Sequence, residues 1–345
     1  MNIGLLSPFP PEKDGIALYS QGLLSALQEH GVRVTSIGRK QSEADYHLDF
    51  RSLLLAKSIK GIAKKEGMDI LHIQYNPTYF SKFLLNSNMI ACLRGKAKAV
   101  VTMHEVRYGV KGMKERIIDG IDKSIIRNAK AVIVHTPRQK QMLEKRHGAG
   151  NVHVIYHGLC IKRPPKPQGG KNLLVFGMIS RGKGVPYAIR AMEHLSGFSL
   201  TVAGRFIDRR AEEEVKEALS TAEGNVRTDF GWISEEKKEQ YYLNADIVIL
   251  PHLWAPYQSG ILHNAVSYGI PVVATKAGAL AEMAEAFGFG EIVRQGDPKA
   301  IADGVRRICD GYSTYAKGII GYQKEAEWSH VARKHISVFE NVAKE

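Results

Sequence analysis

Residues 255–278 read APYQSGILHNAVSYGIPVVATKAG. The stretch divides into a loop, a helix opened by small residues and an apolar run, PVVAT, that suits only a buried strand. This is how an α/β chain builds a phosphate site. The first N–H groups of a helix lack partners inside it and carry the positive end of its dipole. The loop and helix, up to Ile270, hold no acidic residue that would oppose an anion.

The same alternation extends outward in both directions. Upstream of residue 160 the strand-like runs are MNIGLLS, RVTSIG, ILHIQY, AVVTMH, AVIVHT and VHVIYH. Beyond residue 171 they are NLLVFG, SLTVAG, VRTDFGW, DIVILPH, PVVAT and GEIVRQG, with amphipathic segments such as DRRAEEEVKEALSTA between them. Unbroken Val/Ile/Leu runs alternating with amphipathic helices mean parallel sheets covered on both faces. Between the two sets lies CIKRPPKPQGGK, residues 160–171, rich in Pro, Gly and Lys and without periodicity, which reads as an interdomain linker. The expected fold is α/β, with two doubly wound, Rossmann-like domains facing across a cleft. Ligands of such sheets bind at the carboxyl ends of the strands.

A chain of 345 residues suffices for two such domains. The opening MNIGLLSPFPPEKDG enters a strand and a turn directly, without a basic leader, and no run approaches a membrane span. Cys92, Cys160 and Cys309 are scattered, which fits neither a disulfide framework nor a zinc site. The expected compartment is a reducing cytoplasm. Charge is uneven. The net +13 falls entirely in residues 1–163, which hold 26 Lys and Arg against 13 Asp and Glu, whereas residues 164–345 hold 22 of each. Such asymmetry points to an anionic partner for the first half.

Four stretches could carry chemistry. In PPEKDGIALYSQGLLSAL, residues 10–27, Gly15 opens a helix after a strand and a Pro-rich turn, so backbone could approach a phosphate there. LLVFGMISRGKGVPYAIRAM, residues 173–192, nearly matches a P-loop: Gly177, four residues, Gly182, Lys183. Gly184 then stands where a P-loop needs Ser or Thr for magnesium. Lys183 and Arg181 remain phosphate ligands in their own right, since each supplies positive charge. In the opening stretch, the Ser259 hydroxyl and the N–H groups of Gly260 and Ile261 could take a diphosphate, against ordinary N-capping by Ser259. His104, at the end of the strand in VVTMHEV, could contact a substrate, against a purely structural role.

Taken in order, these pieces resemble a family-four, GT-B-type glycosyltransferase over nearly the whole chain. The resemblance rests on DGIALYSQGLLSALQEHGVRV, ILHIQY, VVTMHE and NVHVIYHGL in the first half. In the second it rests on LLVFGMISRGKG, LTVAGR, FGWISEEKKEQYYLNADIVILPH and SGILHNAVSYGIPVVATKAGALAE. The C-terminal EWSHVARKHISVFENV is similar to the family's last helix, which crosses back onto the first domain. It implies an acceptor domain at 1–163, with a C-terminal helix at 326–345 packing back on it, and a donor domain at 164–325. It also implies retaining transfer of a hexosyl group from a nucleotide diphosphate sugar, with no metal or other cofactor. By resemblance Lys183 and the backbone of Ser259, Gly260 and Ile261 hold the diphosphate, and Gly15 lets the first-domain loop approach it. His104 touches the transferred sugar, and the backbone around Trp232 and Ile233 meets the nucleobase. Arg205 and Glu282 fall near the cleft without firm roles.

Three departures stand out. The family's pair of glutamates, separated by seven residues, is Pro256 and Asn264 here, and its Arg after the first glycine of the lysine loop is Met178. Asn264 can still bond a ribose, and Arg181 or Arg205 could replace the charge absent at Met178. The phosphate grip therefore reads as kept and the sugar grip as altered.

The basic half is the acceptor half of this family. Residues 51–65 (RSLLLAKSIKGIAKK) and 111–130 (KGMKERIIDGIDKSIIRNAK) are cationic and amphipathic. They are either ordinary surface helices or a docking face for anionic lipid at the inner membrane surface. The expected acceptor is then lipid-linked or otherwise anionic. No recognition helix, zinc spacing or aromatic–basic repeat speaks for nucleic acid. The rival readings are a non-catalytic binding protein of the same fold, at a nucleotide sugar or a membrane surface, and a P-loop-like nucleotide hydrolase.

Overall fold

The computed structural model describes the chain apart from residues 13, 81–86, 107–111, 168, 255–259, 278 and 345 and, within helices, the side chains of 114, 115 and 279. The chain divides into two compact units, Met1–Gly158 with Glu325–Glu345, and Leu159–Lys324.

The first unit has strands β1 (Asn2–Leu6), β2 (Arg33–Gly38), β3 (Tyr46–His47), β4 (Ile70–Tyr75), β5 (Lys98–Met103), β6 (Ala131–Val134) and β7 (Val152–Val154). All pair in parallel, in the order β3-β2-β1-β4-β5-β6-β7. The connecting helices are α1 (Gly15–Glu29), α2 (Leu55–Glu66), the short α3 (Pro77–Phe80) and α4 (Ser87–Cys92), α5 (Met113–Asn128) and α6 (Pro137–His147). Every residue of β4 is buried, including the polar His72 and Gln74. An unbroken run of this kind is what a central strand covered on both faces requires.

Helix α1 buries Ala17, Tyr19, Ser20, Leu23, Ala26 and Leu27, at the three- and four-residue spacing of one face. Across it packs the C-terminal helix, Trp328–Lys344. The approach is close at Gly22, where a Cβ would stand 2.4 Å from the Trp328 ring. Helix α6 opens with Thr136 and Gln139 in a reciprocal capping box and Pro137 at its first turn, which accounts for its sharp start.

The second unit has strands β8 (Asn172–Phe176), β9 (Ser199–Gly204), β10 (Asn225–Phe230), β11 (Ile247–Leu250), β12 (Val272–Thr275) and β13 (Gly290–Val293). They too are parallel, ordered β10-β9-β8-β11-β12-β13. Its helices are α7 (Val185–Arg190), α8 (Arg209–Ser220), α9 (Glu235–Asn244), α10 (Gly260–Ser267), α11 (Ala279–Phe287), α12 (Pro298–Asp310) and α13 (Tyr312–Ala326). Asp208, Ser234 and Asp297 cap α8, α9 and α12 through their side chains.

Both sheets are doubly wound, as the alternation of apolar runs and amphipathic segments implies. The run at 160–171 is not a loose tether. Arg163 donates to the Tyr268 carbonyl at 2.7 Å and to Leu243 and Tyr242 carbonyls at 3.0 and 3.2 Å. It thereby satisfies carbonyls that the ends of α9 and α10 leave open, where a cation is favoured. β3 is two residues long and carries no apolar run, so periodicity gave no sign of it. Among the described residues no helix is long and apolar enough to cross a membrane.

Candidate functional site

Each sheet reverses its strand order at one point, and the loops leaving the carboxyl ends of the two strands there diverge to form a crevice. In the second unit those strands are β8 and β11. The loop after β8 turns through a short 3-10 segment, Arg181–Lys183, and the loop after β11 carries His252. The two loops are tied together by backbone: Leu253 N–H donates to the Gly182 carbonyl at 2.9 Å. Side chains tie them again. Lys183 Nζ lies 2.8 Å from His252 Nε2. An ammonium can only donate, so Nε2 is the unprotonated nitrogen of that ring. Burial, with Lys183 beside it, pushes the His252 pKa down to about 3, and burial lowers that of Lys183 as well. Thr275 fixes the loop from the next strand through a hydrogen bond to the His252 carbonyl.

Gly184 closes the turn with φ of 63°, and a Cβ there would come 2.1 Å from the Pro251 carbonyl oxygen. Serine or threonine cannot stand at this position without moving the loop after β11. The near match to a P-loop is therefore broken for a steric reason: the place of the magnesium-binding hydroxyl is filled by a neighbouring backbone oxygen.

The start of α10 lies over the same crevice. Ile261 leans across the end of β8, its Cδ1 standing 2.8 Å from where a Cβ on Gly177 would project. Gly260 is exposed, and the first turn of α10 carries no acidic side chain. Ser259 and Pro256 lie outside the described residues. Asn264 is half-buried, and its side chain bears on the buried Tyr242 hydroxyl, inward of the helix surface. Arg181 is exposed, and its Nε donates to Glu214 of α8 at 2.7 Å. Met178 and Arg205 are exposed. Trp232 and Ile233 follow the edge strand β10, with Trp232 73% exposed and Ile233 half-buried. Ile261 thus packs against the end of β8, the strand whose following loop carries Arg181 and Lys183, while Trp232 and Ile233 follow the carboxyl end of β10. Glu282 lies half-buried on α11.

In the first unit the switch point falls between β1 and β4. Gly15 is exposed at the first position of α1. Asp14 caps that helix, accepting from Ile16 N–H at 2.8 Å and from the Tyr79 hydroxyl at 2.6 Å. A carboxylate therefore already occupies part of the helix terminus that Gly15 was expected to offer to phosphate. Glu12, bonded to Arg39 and Ser42, adds a second carboxylate to the same loop.

His104 follows β5 and belongs to a chain of buried polar groups. His135 Nδ1 lies 2.9 Å from the Ile155 carbonyl, which can only accept, so that nitrogen carries the proton. His135 Nε2 then accepts from His104 Nδ1 at 3.2 Å. His104 Nε2 in turn is left as an acceptor, 2.7 Å from the head group of the Gln74 side chain. With neutral rings the Gln74 amide must turn its NH2 to His104 and its oxygen to His72 Nε2, 3.3 Å away. Burial keeps the rings neutral. It holds His104 and His72 well below the usual histidine range, His135 at about 3 and His157 and His335 at about 4. Neighbouring imidazoles push His104 and His135 the same way. Tyr19 stacks edge-on against His104, with ring centres 4.9 Å apart. Both ring nitrogens of His104 are thus engaged within the unit, and a bond to a ligand through either requires one partner to move.

Sequence reasoning missed His252, Gln74, His135 and Asp14. His252 ends the run DIVILPH just as His104 ends VVTMH, so the same signal could have found it. Among the described residues no group of three or more His, Cys, Asp or Glu is placed to hold a metal ion.

Comparison with known proteins agrees with this fold. Residues 13–163 match the model of Glycosyltransferase Family 4, and residues 161–325 that of Glycosyl transferases group 1. An uncharacterized glycosyltransferase of Methanocaldococcus jannaschii is 28% identical over 178 residues, 49% of this chain and 44% of the relative, so the match spans under half of that protein. Among solved structures, a sucrose-phosphate synthase of Thermosynechococcus elongatus superposes with a TM-score of 0.75 at 20% identity, over 99% of each chain. A glycosyltransferase of Rickettsia africae gives 0.74 at 17%, over 100% of this chain and 99% of the other. The Anabaena protein HepE, solved with UDP, gives 0.71 at 16%, over 99% of this chain and 100% of the other. At these identities the structural likeness is one of fold. With the two family models adjoining across residues 13–325 and the fold shared from end to end, the chain belongs to the family-4-like GT-B glycosyltransferases.

Proposed function

We propose that the protein transfers a glycosyl group from a nucleotide diphosphate sugar to an anionic acceptor, with retention at the anomeric carbon and without a metal. One observation carries this reading: half-buried Lys183, held by His252 in the loop after β8, the strand whose end meets the acid-free start of α10. Transfer needs a stabilised diphosphate leaving group. A preorganised ammonium with backbone N–H donors supplies it without reorganisation at the moment of reaction. Retention with leaving group and acceptor on one face of the sugar needs no pair of carboxylates, unlike most glycosidases. Related folds were solved with UDP, UDP-glucose and ADP, which supports a nucleotide donor. The excess positive charge of residues 1–163 favours an anionic, lipid-linked acceptor met on the cytoplasmic face of the membrane.

The experiment is to incubate the protein with UDP-, GDP- and ADP-hexoses in EDTA, with water as the acceptor, and to follow by NMR the release of nucleotide and, before mutarotation sets in, the anomeric configuration of the hexose first released. Release of one nucleoside diphosphate with a product of unchanged configuration supports the proposal. An inverted product, or release only with magnesium, contradicts it.

A second reading is a binding protein without turnover. The observation favouring it is His104, both of whose ring nitrogens are bonded internally. Selective donor binding without release in the same experiment is its signature.

A further inference from the structure

At the edge of the first sheet opposite Gly15 and His104 lies an open cavity of about 840 Å3 that the proposed transfer does not use. It sits where two central strands begin. Met68 and Asp69 lead into β4, and Ala97 leads into β5. One wall is a face of α2 and the other is the end of α4 with the turn after it. The walls are open because their side chains are short, Ala56 and Ala63 on α2 and Ala91 on α4. The floor is apolar, formed by buried Met68, Leu71 and Cys92.

The rim is cationic. Lys57, Lys60, Lys64, Arg94 and Lys96 stand around it, all exposed. Among the described residues the four lysines have no carboxylate within ion-pair distance. Asp69, the single acid of the lining, accepts from Asn2 N–H at 2.9 Å. At the start of α2, Leu53 and Leu54 are 72% and 63% exposed. Helix α5 offers less: its Asp119 is paired with Arg146.

We propose that this groove binds an anionic phospholipid of a bilayer surface. The lysines meet the headgroup phosphate, an acyl chain lies along the apolar floor, and Leu53 and Leu54 enter at headgroup depth. Charge complementarity selects this occupant. A neutral amphiphile leaves five cations facing one another, and a hydrophilic anion leaves the apolar floor wet. Binding here is independent of donor turnover and stands or falls apart from it.

The test is co-sedimentation of the full chain with vesicles of phosphatidylcholine alone or with 30% phosphatidylglycerol, at low and high salt. Anionic vesicles should bind at least tenfold better, and salt should weaken this. Lys57→Gln/Lys60→Gln/Lys64→Gln should lose binding by roughly 100-fold, at about fivefold per lysine charge removed. Ala91→Trp, at an exposed position, should weaken binding severalfold by filling the groove while the melting temperature stays near the wild type. Lysine acetylation of the wild type gives a readout free of mutation: Lys57, Lys60, Lys64 and Lys96 should be protected by anionic vesicles and Lys216 should not. Equal binding to both vesicle types, unprotected lysines, or full binding by a folded Ala91→Trp protein would overturn the proposal.

Discussion

Lys183 donates to the unprotonated Nε2 of His252 across 2.8 Å, linking the loops that leave β8 and β11. The imidazole is spent on holding the lysine, and the lysine is left with two further protons to offer. His252 acts as a positioning residue in this arrangement. His252→Ala should weaken nucleotide diphosphate binding about tenfold, ~1.4 kcal/mol, the scale of one charged hydrogen bond. His252→Gln, which restores an acceptor, should recover most of it. Calorimetry of the two variants checks this, and equal affinities would mean that the imidazole contributes only packing.

Gly184→Ser restores the hydroxyl of a P-loop in sequence but not in structure. With φ at 63° and a Cβ 2.1 Å from the Pro251 oxygen, the loop must shift. The variant should lose roughly 2 kcal/mol or more of stability in the second unit and gain no magnesium-dependent triphosphate hydrolysis. Denaturant unfolding and phosphate release measure the two effects.

Gly22 meets Trp328 more closely than any side chain allows. Gly22→Ala should cost about 1–3 kcal/mol by displacing the C-terminal helix from α1, despite alanine's better helix propensity. Trp328→Phe, which removes the atoms in the way, should recover part of the loss in the double variant. A melting curve of the three variants decides it.

The histidines of the first unit set an acid limit. His135, His157 and His335 have folded values near 3, 4 and 4, below the ordinary 6.5 of an unfolded histidine. The unfolded chain therefore binds more protons between those values, and stability rises with pH across that window. The contribution is whole above pH 6.5 and is lost as pH falls toward 4, at about 1.4 kcal/mol per pH unit for each group. The melting temperature should drop steeply from pH 6.5 to 4, and His335→Gln should flatten the slope by close to one proton.

The strands were legible because buried parallel strands read as unbroken apolar runs, and ILHIQY announced β4 even with His72 and Gln74 inside it. Lys183 was legible because glycines after a strand mark a loop that can approach a ligand. What the lysine bonds to was not, since His252 lies 69 residues further on and only the switch between β8 and β11 brings them together. Arg181 shows the same limit in reverse. Its position suited phosphate, but Glu214, 33 residues away, takes its guanidinium. The direction of a long side chain is set by tertiary neighbours that spacing does not reveal. At His104 position was readable, while the occupancy of both ring nitrogens depends on partners from β4 and from the loop after β6.

The most direct measurement is calorimetric titration of UDP, GDP and ADP, each in EDTA, into the wild type and Lys183→Ala. One diphosphate should bind selectively without metal, and the variant should bind it at least tenfold more weakly, ~1.5–3 kcal/mol for a lost charged hydrogen bond. Unchanged affinity in Lys183→Ala, or binding that appears only with magnesium and a triphosphate, would contradict the assignment of Lys183 to the donor phosphates.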